Sequence, residues 1–250
     1  MSEARAESGV KFGPWQGLWL LVGYLVGQLL GYLSVTLAWT AYLAVRGRLH
    51  HHAVAAPPEA SPTVMACATL AGFLLSAWWV WTYARRRARP LLRRGEATGI
   101  AWRAPKLRAY GAAVIVAVLA MAFGGLMFQL FPPDLDKLTG PTSKLLAAPG
   151  LPRLTVMLLA IAGAPVMEEF TFRGALFAAL ARRLSLPWAG SLTTLVFVVL
   201  HAPDKLGWWP GFLAVGFLGA LLLVLRLRYR SLWPGMLAHC LYNSSFFFLS

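Results

Sequence analysis

The feature that most constrains this chain is a series of long apolar runs separated by short polar breaks. The runs are Trp15–Val45, Pro62–Ala84, Arg108–Phe131, Pro152–Ala181, Leu186–Leu200, Gly211–Leu225 and Leu232–Leu249, and together they cover most of the 250 residues. A helix crossing a bilayer needs about 20 consecutive apolar residues. Most of the runs meet that length. Leu186–Leu200 and Gly211–Leu225 fall short of it, but aromatic and basic residues flank them as anchors would. Composition points the same way: 58% of residues are hydrophobic and 13% charged, against roughly 45–50% and 25% in soluble domains. Because a membrane admits only internally hydrogen-bonded backbone, the expected fold is all-α. It is a polytopic membrane protein of about seven (six to eight) transmembrane helices.

The net charge of +14 would suggest nucleic acid in a soluble chain. Here its distribution describes topology, so no nucleic-acid partner is expected. The loop 85–108 holds nine basic residues, namely Arg85, Arg86, Arg87, Arg89, Arg93, Arg94, Arg103, Lys106 and Arg108. Alternate breaks carry Arg182 with Arg183, and Arg226, Arg228 and Arg230. The breaks between these contain acids as well: Asp134, Asp136, Lys137 and Lys144 in one, Asp204 and Lys205 in the other. The positive-inside rule then predicts an N-in/C-out chain. Binding of anionic lipid head groups is the functional reading of the basic loop, and plain topogenic charge is the simpler one. Trp15, Trp19, Trp78, Trp79, Trp81, Trp188 and Trp233 fall near inner ends, and Trp39, Trp208 and Trp209 near outer ones, as interfacial belts would.

The first run is about 46 Å long at 1.5 Å per residue, so it must tilt, break or project. It is too long for a signal peptide. Cys67 and Cys240 both lie in apolar runs and imply no disulfide framework. The organisation read from these features is a front half (1–131) of three helices, a Pro-rich outer loop (132–151) and a back half (152–250). Within its spans the front half offers little polarity beyond Gln28 and some Ser and Thr. The consecutive His50, His51 and His52 read as an exposed run, because neighbouring histidines on a loop converge poorly on one metal ion.

Every intramembrane ionisable side chain lies in the back half, where a charge costs several kcal/mol, from about 2.5 upward, and therefore marks pairing or function. Glu169 and Arg173 are four apart, on one helical face and in the favoured order for an ion pair. Glu168 is five from Arg173, about 140° away around an α-helix, and is the carboxylate left over. A spare carboxylate at such a site is a general-base candidate. Phe197 with His201, and His239 with Asn243, repeat the four-residue spacing. Counted from the inner flanks, the depths are about 22 Å for Glu168, 24 Å for His201, 14 Å for His239 and 20 Å for Asn243. One cavity below the outer surface could hold all four.

The ordered set Glu-Glu-x-x-x-Arg, Phe-x-x-x-His and His-x-x-x-Asn, from Glu168 to Asn243, resembles the CPBP family. This is the CAAX-protease and bacteriocin-processing (Rce1-like/Abi) family of intramembrane glutamic endopeptidases. The resemblance spans roughly Ala160 to Asn243; the front helices carry none of its motifs. It implies that Glu168, with His201, activates a water for attack on a peptide carbonyl. It further implies that His239 and Asn243 donate to the oxyanion, and that Glu169, Arg173 and Phe197 support the cavity. No cofactor is implied. The expected partners are the bilayer and a membrane-embedded or lipid-anchored protein or peptide. The Arg- and Ala-rich composition fits a GC-rich bacterial genome, hence a bacterial cytoplasmic (inner) membrane. Prenylated CAAX peptides, bacteriocin leaders and C-terminal membrane anchors are the substrate classes considered, and oligomeric state is left open.

Three alternatives compete. One Glu and two His could bind zinc with a position open for water, although no His-Glu-x-x-His occurs. Glu and His could instead form a proton relay in a transporter, although no inverted repeat is visible. The third alternative is a non-catalytic scaffold or immunity protein. Rhomboid-type Gly-x-Ser-Gly and intramembrane aspartates are both absent from the sequence.

Overall fold

The computed structural model describes residues 11–49, 61–134 and 145–248. His50, His51 and His52 lie outside the described residues, as do Asp136, Lys137 and Lys144. Each apolar run becomes a helix, and no strand occurs among the described residues. The helices are α1 (Pro14–Leu49), α2 (Pro62–Arg87), α3 (Arg108–Leu130), α4 (Leu151–Leu180), α5 (Leu186–Leu200), the single turn α6 (Ala202–Lys205), α7 (Pro210–Tyr229) and α8 (Trp233–Phe248). By length and apolarity α1, α2, α3, α4 and α7 can cross a membrane. Five helices are therefore of crossing length, against the seven expected; the other two apolar runs form shorter helices, α5 of 15 residues and α8 of 16.

α1 runs for 36 residues without a break, so the excess length noted in the sequence does not kink it. It is held against α2 through glycines four residues apart. A Cβ at Gly27 would fall 2.9 Å from Ser76 N, and Gly31 meets the backbone of Gly72. Apolar side chains gain little from association in lipid, so close backbone approach and interhelical hydrogen bonds carry such contacts. Here Ser76 Oγ donates to Tyr24 O at 2.6 Å. α2 begins at an N-cap, Ser61, with Pro62 following, and ends on Arg85, Arg86 and Arg87. Cations there complement the helix C-terminus.

The basic segment after α2 is more than a polar connection. Ala88, Leu91, Ile100 and Ala101 are fully buried, the first three in one core with Phe170, Phe172 and Leu232. Arg226 fixes the segment in place, donating to Gly95 O, Glu96 O and Gly99 O at 3.1, 2.9 and 2.6 Å. This corrects the grouping of Arg226 with Arg228 and Arg230 as topogenic charge: Arg226 is a buried structural residue.

Two apolar cores meet at α8. One joins α1, α2, α4 and α5, and the other joins α3, α7 and α8 through Ala113, Val116, Leu218, Leu222, Ala238 and Tyr242. Ala238 and Tyr242 share one face of α8, which leaves His239 and Asn243 on the face turned to α4.

α4 is not a uniform α-helix. Leu159–Gly163 and Glu169–Leu176 are wound as π-helix, a form that concentrates at functional sites. Pro165 accounts for the first segment. Ala164 N–H reaches Leu159 O, five residues back, and in that register residue 165 would reach Ala160 O. Proline has no N–H to give. The Ala160 carbonyl is left without a helical donor.

Candidate active site

Glu168 and Glu169 sit where the α and π segments of α4 join. Arg173 Nη1 donates to Glu169 Oε1 at 3.0 Å, with both side chains 1% exposed. The spacing that suggested this pair holds, but the winding differs from the α-helix assumed in reading it. Over a π segment, positions five apart draw closer in angle than 140°, and Arg173 lies in the field of Glu168 as well. Its hydrogen bond nevertheless goes to Glu169. Arg173 also stacks its guanidinium over Phe197, 4.0 Å from the ring centroid, a desolvated cation–π contact.

His239 faces both carboxylates. Its Nε2 stands 3.7 Å from Glu168 Oε2 and its Nδ1 3.5 Å from Glu169 Oε1. Both separations exceed ordinary hydrogen-bond length. Glu168 is thus not isolated: it has a histidine in front of it, and its side chain keeps 15% exposure. Around Glu169 the polarity is only part-satisfied. Glu169 Oε2, His239 Nδ1 and Arg173 Nε and Nη2 are buried without a hydrogen bond in the protein.

Phe197 is the hub. Its ring packs against Phe172, His201 and His239, with centroids 5.4, 4.4 and 5.9 Å away. His201 is the C-cap of α5, and its Nδ1 lies 2.7 Å from Phe197 O. A carbonyl only accepts, so Nδ1 carries a proton, and in the neutral ring Nε2 is the acceptor. Asn243 Nδ2 donates to Ala160 O at 2.8 Å, the carbonyl that Pro165 leaves unpaired. Glu168, Glu169, Arg173 and His239 are therefore in direct proximity. His201 joins them through Phe197, and Asn243 ties α8 to α4 one π segment away.

The match with known proteins covers this region. Residues 150–245 match the family model described as Type II CAAX prenyl endopeptidase Rce1-like. This part of the chain is similar to the Rce1-like family. It begins beside the start of α4, ends inside α8, and includes Glu168, Glu169, Arg173, His201, His239 and Asn243. No curated protein and no solved structure matches the chain.

The front helices also reach this region, which sequence reading missed. Tyr24 is buried and lies in the field of Glu168. The Tyr24 ring sits edge-on to Phe172 at 6.4 Å. The available signal was the four-residue spacing of Tyr24 and Gln28 on α1. Gly235 is another contributor: a Cβ there would fall 2.9 Å from Glu169 Oε2. Among the described residues no three His, Cys, Asp or Glu side chains converge as a metal-ligating set.

Proposed function

We propose that the chain is an intramembrane endopeptidase that hydrolyses a peptide bond of a membrane-embedded or lipid-anchored substrate. The Rce1-like family is one of proteases, and several helices are of membrane-crossing length. The observation that carries the residue-level reading is Glu168 Oε2 facing His239 Nε2 at 3.7 Å, while Arg173 gives its hydrogen bond to Glu169 and not to Glu168.

In this reading Glu168 is the general base. It takes a proton from water as the oxygen attacks the scissile carbonyl carbon, and the carbonyl oxygen becomes the oxyanion. His201 orients that water through its unprotonated Nε2. His239 donates to the oxyanion, and Asn243 offers its second amide N–H while the first holds Ala160. Collapse of the intermediate breaks the C–N bond, and the proton held by Glu168 passes to the leaving amine. Preorganised donors in a dry site are worth several kcal/mol, about 3–4 for one donor. Glu169, Arg173 and Phe197 keep the geometry.

The excess of Lys and Arg in alternate breaks supports an N-in/C-out orientation, and the Arg- and Ala-rich composition supports a bacterial cytoplasmic membrane. Sortase-like trimming of C-terminal anchors is the substrate class we favour over prenylated CAAX peptides. The deciding experiment compares membrane proteomes of cells carrying wild-type protein and Glu168→Gln. Protein termini that change only with the wild type are the expected result. An unchanged set of termini, with both proteins present at equal level, would overturn the proposal. The mechanism uses no metal, so cleavage should survive chelators. Loss on chelation with recovery on adding zinc would replace it with a metalloprotease.

A further inference from the structure

The end of the helix bundle bearing the segment after α2 carries a second constellation, separate from Glu168 and its neighbours. Two stretches far apart in sequence meet there, Arg103–Arg108 before α3 and Arg228–Arg230 at the end of α7. They line a cavity of about 390 Å³ with Arg103, Lys106, Arg108, Arg228, Arg230 and Tyr229. The convergence is built by the fold. Arg226 holds the segment by three backbone carbonyls. Ser231 Oγ donates to Arg103 O at 2.5 Å, and Leu232 N donates to Ala101 O at 3.1 Å. Arg230 adopts a left-handed backbone (φ 51°), an uncommon conformation for a residue with a side chain.

Topogenic charge needs only to lie on one side of a membrane; it does not need to converge. Like charges brought together repel, and among the described residues none of these five cations has a carboxylate partner. Such a cluster fits an anion with several acceptor oxygens, which Arg binds through paired N–H donors. A second cavity of about 520 Å³ adjoins it, sharing Arg103 and Ala104, and is lined by Arg93, Trp102, Tyr110 and Trp233. The Trp102 and Trp233 rings lie 5.1 Å apart. A basic chamber opening onto an aromatic one matches a charged head with an apolar body behind it, and basic pockets between helices take lipid head groups.

We propose that these residues form a phosphate-binding site whose ligand is the phosphate of an anionic lipid head group or free phosphate. The aromatic neighbour favours the lipid. The test is calorimetric titration of the full-length protein in uncharged detergent with three probes: short-chain phosphatidylglycerol, short-chain phosphatidylcholine and inorganic phosphate. Saturable binding of phosphatidylglycerol, at least about tenfold tighter than of phosphatidylcholine, is expected. The double variant Arg228→Gln/Arg230→Gln should weaken it by about tenfold or more, as loss of charge-assisted hydrogen bonds would. Lys106→Gln alone, at an exposed position that leaves the helices intact, should shift affinity in the same direction.

Arg182→Gln/Arg183→Gln removes the same net charge elsewhere and should change affinity less than about twofold if the site is local. Saturable inorganic phosphate binding that is lost in Arg228→Gln/Arg230→Gln, with no preference for phosphatidylglycerol, would keep the site and assign it to the free anion. Equal weakening by the two double variants would overturn the proposal, and so would absence of saturable binding by both phosphatidylglycerol and phosphate.

Discussion

The hydrogen bond from Asn243 Nδ2 to Ala160 O, 2.8 Å long, can be traced to one residue that is not part of it. Ala164 N–H bonds Leu159 O five residues back; the next donor in that register belongs to position 165, which is proline. Asn243→Ala should strand a part-buried carbonyl, at a cost of about 1–3 kcal/mol. Pro165→Ala supplies the missing N–H, so in that background the same substitution should cost about 1 kcal/mol less. The measurement is a double-mutant cycle, with unfolding of the purified protein in mixed micelles followed by tryptophan fluorescence. Activity is not needed to read it. If Asn243→Ala costs the same in both backgrounds, to within about 0.3–0.5 kcal/mol, Pro165 is not the reason for the bond.

Five other substitutions separate site from scaffold. Gly235→Ala places a methyl 2.9 Å from Glu169 Oε2; because Arg173 restrains that carboxylate, the substitution should destabilise the protein by about 1–3 kcal/mol and lower cleavage, read by thermal unfolding and substrate turnover. Arg173→Ala or Glu169→Gln leaves a buried partner uncompensated and should cost about 3–5 kcal/mol. Glu168→Gln, at a more exposed side chain, should keep the wild-type melting temperature and lose only cleavage; equal instability in all three would mean that Glu168 is scaffold too. Arg226→Ala should free the segment after α2, so limited trypsin digestion should cut at Arg93, Arg94 or Arg103 well before the wild type does. An unchanged digestion rate would show that the buried Leu91 and Ile100 hold the segment without it.

What could be seen in the sequence was whatever depends on few neighbours. Lipid solvates a helix whatever its partners, so apolar runs alone located the helices. The Glu169–Arg173 pair needs only the periodicity of one helix, and it survives even where that helix is wound as π. The remaining features need two segments at once. Pro165 is visible as a helix-breaking residue, but its consequence is an unpaired carbonyl whose donor comes from α8. Arg226 and Arg228 are indistinguishable in composition; they differ because three backbone carbonyls of the segment after α2 reach one and not the other. The same holds for Tyr24, an ordinary aromatic residue on α1 until packing brings α1 and α4 together. Polar groups in a membrane interior must find partners within the protein. Their sequence spacing therefore identifies a direct contact only when the partners share a helix; depth counting could put Glu168 and His239 in one cavity, but not face to face.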